Sequence, residues 1–103
     1  MRWLGKHIGL AKGVGEFRFK HWLDTHALEA LSEIGVRRGQ VVLDFGCGSG
    51  TYTIPAAELV GREGRVYALD VNRKALTRME DKAKRRGLTN IVRVDASGEK
   101  RRH

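Results

Sequence analysis

Apolar residues recur at two different periods along the chain. Trp22, Leu23, Ala27, Ala30, Leu31 and Ile34 follow helical spacing and predict a helix over 17–34, with Gly35 as its stop. Residues 40–45, QVVLDF, are almost continuously apolar and predict a strand buried on both faces. A glycine loop at 46–50 follows. The next helix is expected from Thr51 to Val60, with Pro55 near its first turn, where a missing N–H costs least. Residues 65–71, RVYALDV, read as a second strand. Asn72 is placed to cap a helix over 73–86, whose buried stripe is Leu76, Met79 and Ala83. Residues 90–95, NIVRVD, read as a third strand. Residues 1–16 are Gly-rich and read as an irregular arm, and 97–103 as a frayed basic tail.

The predicted order is helix–β–α–β–α–β. Alternation of this kind implies an α/β fold with parallel strands and right-handed crossovers, here ordered 3-2-1. The 103 residues suffice for one small domain. Basic residues outnumber acids 20 to 12, a net charge of +8. The excess sits toward the ends, either as a solvated surface or as a face for an anionic partner such as RNA. Cys47 is the single cysteine, so no internal disulfide forms, which fits a cytoplasmic setting. No apolar stretch reaches the length of a membrane span. His7, His21, His26 and His103 form no spaced cluster with Cys47, so no metal site is expected.

The chemistry concentrates at the strand ends. Asp44 ends the first strand, two residues before Gly46, and the glycines continue at 48 and 50. Thr51 stands where a dinucleotide fingerprint would place its last glycine. A carboxylate at Asp44 repels a pyrophosphate and suits a positively charged ligand. Asp70 ends the second strand, placed for two ribose hydroxyls, and Asp95 ends the third. Aspartates at strand ends also cap helices, the competing structural reading.

VLDFGCGSGTYTIPAA (42–57), VYALDVN (66–72) and VDA (94–96) together resemble the motifs of class I S-adenosylmethionine-dependent methyltransferases over roughly residues 20–96. The resemblance implies a truncated Rossmann-like three-layer fold, since the family's usual sheet continues beyond three strands. It implies S-adenosylmethionine as cofactor. Gly46, Cys47, Gly48 and Gly50 would line its methionine portion, with Cys47 a small loop residue rather than a reactive one. Asp44 would sit near the ligand's ammonium, and Asp70 would take the ribose hydroxyls. Val71 and Asn72 would flank adenine. Asp95 would accept from the exocyclic amine, and the Ala96 N–H would face the ring. Tyr52 would reach the pocket or pack in the core. Phe17, Phe19 and Trp22 would anchor the first helix or close over the ligand.

With the family's next strand missing, the first strand becomes a bare apolar edge. The expectation is a homodimer through that edge, with a second subunit or partner completing the substrate wall. The function expected is methyl transfer to an unidentified acceptor, a small molecule favoured over RNA. A non-catalytic cofactor binder acting as sensor or regulatory partner, and a basic nucleic-acid-binding module, are the alternatives.

Overall fold

A computed structural model of the protein describes residues 2–4 and 26–98. The chain runs β1 (Arg2–Leu4), a helix α1 over 26–33, β2 (Val41–Phe45), α2 (Thr53–Val60), β3 (Arg65–Asp70), α3 (Arg73–Arg85) and β4 (Ile91–Asp95). All strand pairs are parallel and the order is β1-β2-β3-β4. The three expected strands are therefore β2, β3 and β4, adjacent in the expected order. Phe17, Phe19, Trp22 and the first half of the predicted first helix lie outside the described residues, as do 99–103 of the tail.

One strand was not expected. The arm read as irregular contributes β1, which lies along β2 with Arg2 opposite Val42, Trp3 opposite Leu43 and Leu4 opposite Asp44. The edge expected to be bare is thus paired within the chain at Val42–Asp44. Other boundaries move by a residue or two. α2 starts at Thr53 rather than Thr51, because the glycine loop continues as turns through Tyr52. β3 stops at Asp70, leaving Val71 66% exposed, and Ile34 lies beyond α1 and is exposed.

The core lies on one side of the sheet. Alternation puts Val42 and Asp44 of β2, and Val66 and Ala68 of β3, on a single face, where all four are fully buried. Leu31 of α1, the following Val36, and Ala56, Ala57 and Val60 of α2 close over Val42 and Val66. Leu76 and Met79 of α3 close over Ala68 and Cys47. Asn90 ties the layers together: its amide donates to the carbonyls of Ala57 and Gly61, each at 2.8 Å. Gly64 is forced, since a Cβ there would stand 2.5 Å from Cβ of Val60 and 2.6 Å from the Gln40 carbonyl.

The opposite face differs from expectation. Val41 and Phe45 point to it and are exposed, at 38% and 45%. Among the described residues no helix covers this face. An apolar run shows that both faces of β2 are apolar, but not that one stretch of chain covers both.

Candidate functional site

Parallel pairing brings the carboxyl ends of β2, β3 and β4 to one edge. Asp70 and Asp95 are partners in register, while Asp44 pairs with Ala68, two residues deeper. Alternation turns all three acids to the helix-covered side. The glycine loop leaves β2 at this edge and passes over the end of β3.

Asp44 is wholly buried. Its Oδ2 accepts a 2.6 Å hydrogen bond from the Thr53 hydroxyl, and Thr53 is itself fully buried. Its Oδ1 is buried with no hydrogen-bond partner among the described residues. Burial pushes the Asp44 carboxyl up to about 6; the Thr53 bond opposes the rise and the negative charge of Asp70 adds to it. Keeping the charge there at neutral pH costs roughly 3 kcal/mol. A buried acceptor left open at that cost is suited to a cationic donor.

Asp70 holds the loop. Its Oδ2 accepts from the Gly48 N–H and its Oδ1 from the Asn72 N–H, both at 2.8 Å. The N–H groups of Gly46 and Cys47 both donate to the Leu69 carbonyl, at 2.8 and 3.0 Å. The loop is thereby pinned to the end of β3. Gly50 is required by its φ of +97° and by contact, since a Cβ would lie 2.8 Å from Cγ of Met79. Asn72 caps α3 as expected, its side chain accepting from the Ala75 N–H at 3.1 Å. Each Asp70 oxygen has accepted one N–H and keeps further acceptor capacity for a hydroxyl.

Asp95 is differently placed. Its Oδ1 accepts from the Ser97 N–H at 2.9 Å, and its Oδ2 meets Arg73 Nε at 3.1 Å. The Ser97 hydrogen bonds, and then Arg73 and Arg93, hold its carboxyl below the usual range. The Ala96 N–H donates to the Asp70 carbonyl at 2.9 Å, so the group expected to face a ring continues the strand pairing instead. Cys47 is buried, and burial, then the charges of Asp44 and Asp70, push its thiol up to about 12. It remains protonated and is no nucleophile at neutral pH. Tyr52 packs against the core cluster.

The structure brings together Asp44, Gly46, Cys47, Gly48, Gly50, Asp70 and Asn72. Asp95 and Ala96 flank them at the next strand, and Val71 stands exposed between. Sequence reasoning missed Thr53 and Arg73. A lone threonine on the buried side of an otherwise apolar helix start was the available signal for Thr53. Among the described residues no three His, Cys, Asp or Glu side chains could hold a metal ion.

The sequence profile of a family described as "Methyltransferase domain" matches residues 37–97. A protein of Saccharolobus solfataricus, "Probable cobalt-precorrin-6B C(15)-methyltransferase (decarboxylating)", is 44% identical over 66 residues, covering 63% of this chain and 33% of that one. The demethylmenaquinone methyltransferase of Geobacillus stearothermophilus is 41% identical over 63 residues, covering 61% and 27%. The crystal structure of an S-adenosylmethionine-dependent methyltransferase from Aquifex aeolicus superposes with a TM-score of 0.63 at 30% identity, covering 78% and 46%. The chain thus spans about a third or less of the length of these two sequence relatives.

Proposed function

The chain belongs to the methyltransferase-domain family, and from that premise we propose that it binds S-adenosylmethionine and directs its methyl group to a small-molecule acceptor. One observation carries the reading: Oδ1 of Asp44, buried and without a partner among the described residues, beneath a glycine loop that Asp70 pins in place. The ligand's ammonium would supply the cation this oxygen lacks. The residues present fit the group. Gly46, Cys47, Gly48 and Gly50 would line the methionine portion, Asp70 would accept from the ribose hydroxyls, and Val71 and Asn72 would flank adenine. Asp95 and Ala96 would form the rim on the β4 side, with Arg73 already satisfying part of Asp95.

When bound, the cofactor supplies a methyl group already activated on a sulfonium. The protein's task is therefore to orient and to exclude water rather than to move protons. The loop and Asp70 do the orienting. The wall that would hold the acceptor comes from a second copy of the chain or from another partner. One feature supports that reading: the apolar sheet face on which Val41 and Phe45 are exposed. A small acceptor is favoured because the relatives named above are a precorrin and a menaquinone methylase.

Thermal denaturation with millimolar S-adenosylmethionine should raise the melting temperature by several degrees; no rise defeats the cofactor reading. Release of S-adenosylhomocysteine with a panel of small acceptors should follow. Binding without release under every acceptor replaces the enzyme with a non-catalytic cofactor sensor. Light scattering that shows only monomer at high micromolar concentration removes the second copy as the source of the wall.

A further inference from the structure

The outer side of the glycine loop has the opposite electrostatic character to the acidic cradle. A groove of about 460 Å³ runs between the loop and α3, lined by Ser49, Thr51 and Ile54 on one side and by Lys82, Arg85 and Arg86 on the other. Positions 82, 85 and 86 share one helix face, so their charges converge on the groove. No acid lines it. Arg86 is held by Glu58 at 2.9 Å. Lys82 is half-buried and reaches only the Ser49 hydroxyl, at 3.5 Å. Among the described residues neither Lys82 nor Arg85 has an ion pair. The groove opens at the amino end of α2, where the helix backbone adds positive potential.

Uncompensated cations gathered around two hydroxyls make a setting that an anion stabilises. We propose that this α2–α3 groove binds a phosphate group, either of a small phosphorylated molecule or of a phosphodiester chain. A phosphate is excluded from the cradle side of the loop by Asp44 and Asp70, and is matched on this side by Lys82, Arg85 and the hydroxyls of Ser49 and Thr51. Ser49, Gly50 and Thr51 belong to the same loop whose Gly48 N–H is held by Asp70. An occupant of the groove therefore rests on the back of the cofactor loop without entering the cofactor site. The proposal is independent of the methyl-transfer reading, and its test uses no cofactor.

The test is amide NMR of the full chain, titrated separately with pyrophosphate and with a single-stranded RNA of ten nucleotides. The amides of Ser49, Gly50 and Thr51 should shift with saturation. The double variant K82Q/R85Q should weaken pyrophosphate binding roughly tenfold or more. The variant R62Q/K74Q removes the same charge from exposed positions outside the groove and should change affinity less than about twofold. K82R should retain binding. If RNA binds about tenfold or more tightly than pyrophosphate, with the same dependence on Lys82 and Arg85, the source is a phosphodiester chain. If pyrophosphate binds as tightly as RNA, the source is a small phosphate. Equal weakening by both double variants, or no shift at Ser49–Thr51 in millimolar pyrophosphate, overturns the proposal.

Discussion

Asp44 and Asp95 stand on the same sheet edge, on either side of Asp70, and their surroundings are opposite. Asp95 is partly open to solvent and well supplied: Ser97 and Arg73 meet its two oxygens, and its acidity is strengthened. Asp44 is sealed from solvent, has one hydrogen-bond donor among the described residues, and is weakened as an acid until its pKa is about 6. A carboxylate the fold has already satisfied has little to gain from a ligand. A carboxylate the fold leaves half-satisfied at a cost of roughly 3 kcal/mol has much to gain from a cationic one. The contrast supports the proposal that Asp44 would meet the charged end of the ligand while Asp95 would stand at the rim.

Asp44→Asn should have the largest effect on this contrast. It keeps an acceptor for Thr53 and removes the buried charge. The ligand-free protein should gain up to about 3 kcal/mol at pH 7.5, seen as a melting temperature higher by the order of 10 °C. The sign follows from linkage. The native carboxyl holds its proton more tightly than the unfolded one, so the contribution of Asp44 to stability is greatest below pH 3.8 and is lost as pH rises through about 6. The advantage of the Asn variant should therefore vanish near pH 4. Its affinity for S-adenosylhomocysteine should meanwhile drop by roughly tenfold or more. A variant less stable than wild type at pH 7.5 would mean that Asp44 has a cationic partner in the free protein.

Thr53→Val comes next. It leaves both Asp44 oxygens without a donor and should cost about 1–3 kcal/mol at neutral pH, measured by chemical denaturation. A loss below about 0.5 kcal/mol would show that this hydrogen bond does not support the charge. The pH profile of binding gives a smaller effect. Calorimetric affinity for S-adenosylhomocysteine should fall by up to about tenfold for each pH unit below 6, as protonation removes the charge on Asp44. A flat profile from pH 5 to 8 argues against direct pairing. Asp95→Ala sits at the bottom of the series, with a loss in affinity of only a few-fold. A loss as large as that of the Asn variant at Asp44 would erase the difference between the two acids.

Much of the geometry of the candidate site was legible because its signals are local. Asp44, the alternate glycines and Asp70 fall at fixed offsets from strand ends, and Asn72 caps α3 as a residue before a helical stripe should. β1 was illegible because three residues in a Gly-rich stretch have no period, and their partner lies about forty positions away. The grip of Asp70 on Gly48 spans 22 residues. It is set by how the loop turns over β3, which composition does not encode. The same holds for Arg73 and Asp95, and for the groove formed when α3 packs beside the loop. The exposed sheet face was misread for a different reason. Hydrophobicity records what a strand is built to touch, and not which chain provides the contact.

Asp70 joins the two parts of the site, since it holds the loop and, in the proposed function, would also accept from the ligand's ribose hydroxyls. Titration calorimetry of S-adenosylhomocysteine at pH 7.5 into wild type and Asp70→Ala tests it most directly. Saturable one-site binding to wild type is expected, weakened about a hundredfold in the variant by the loss of two charge-assisted hydrogen bonds and of loop order. Absence of binding to wild type at millimolar ligand, or equal affinity for both proteins, would contradict it.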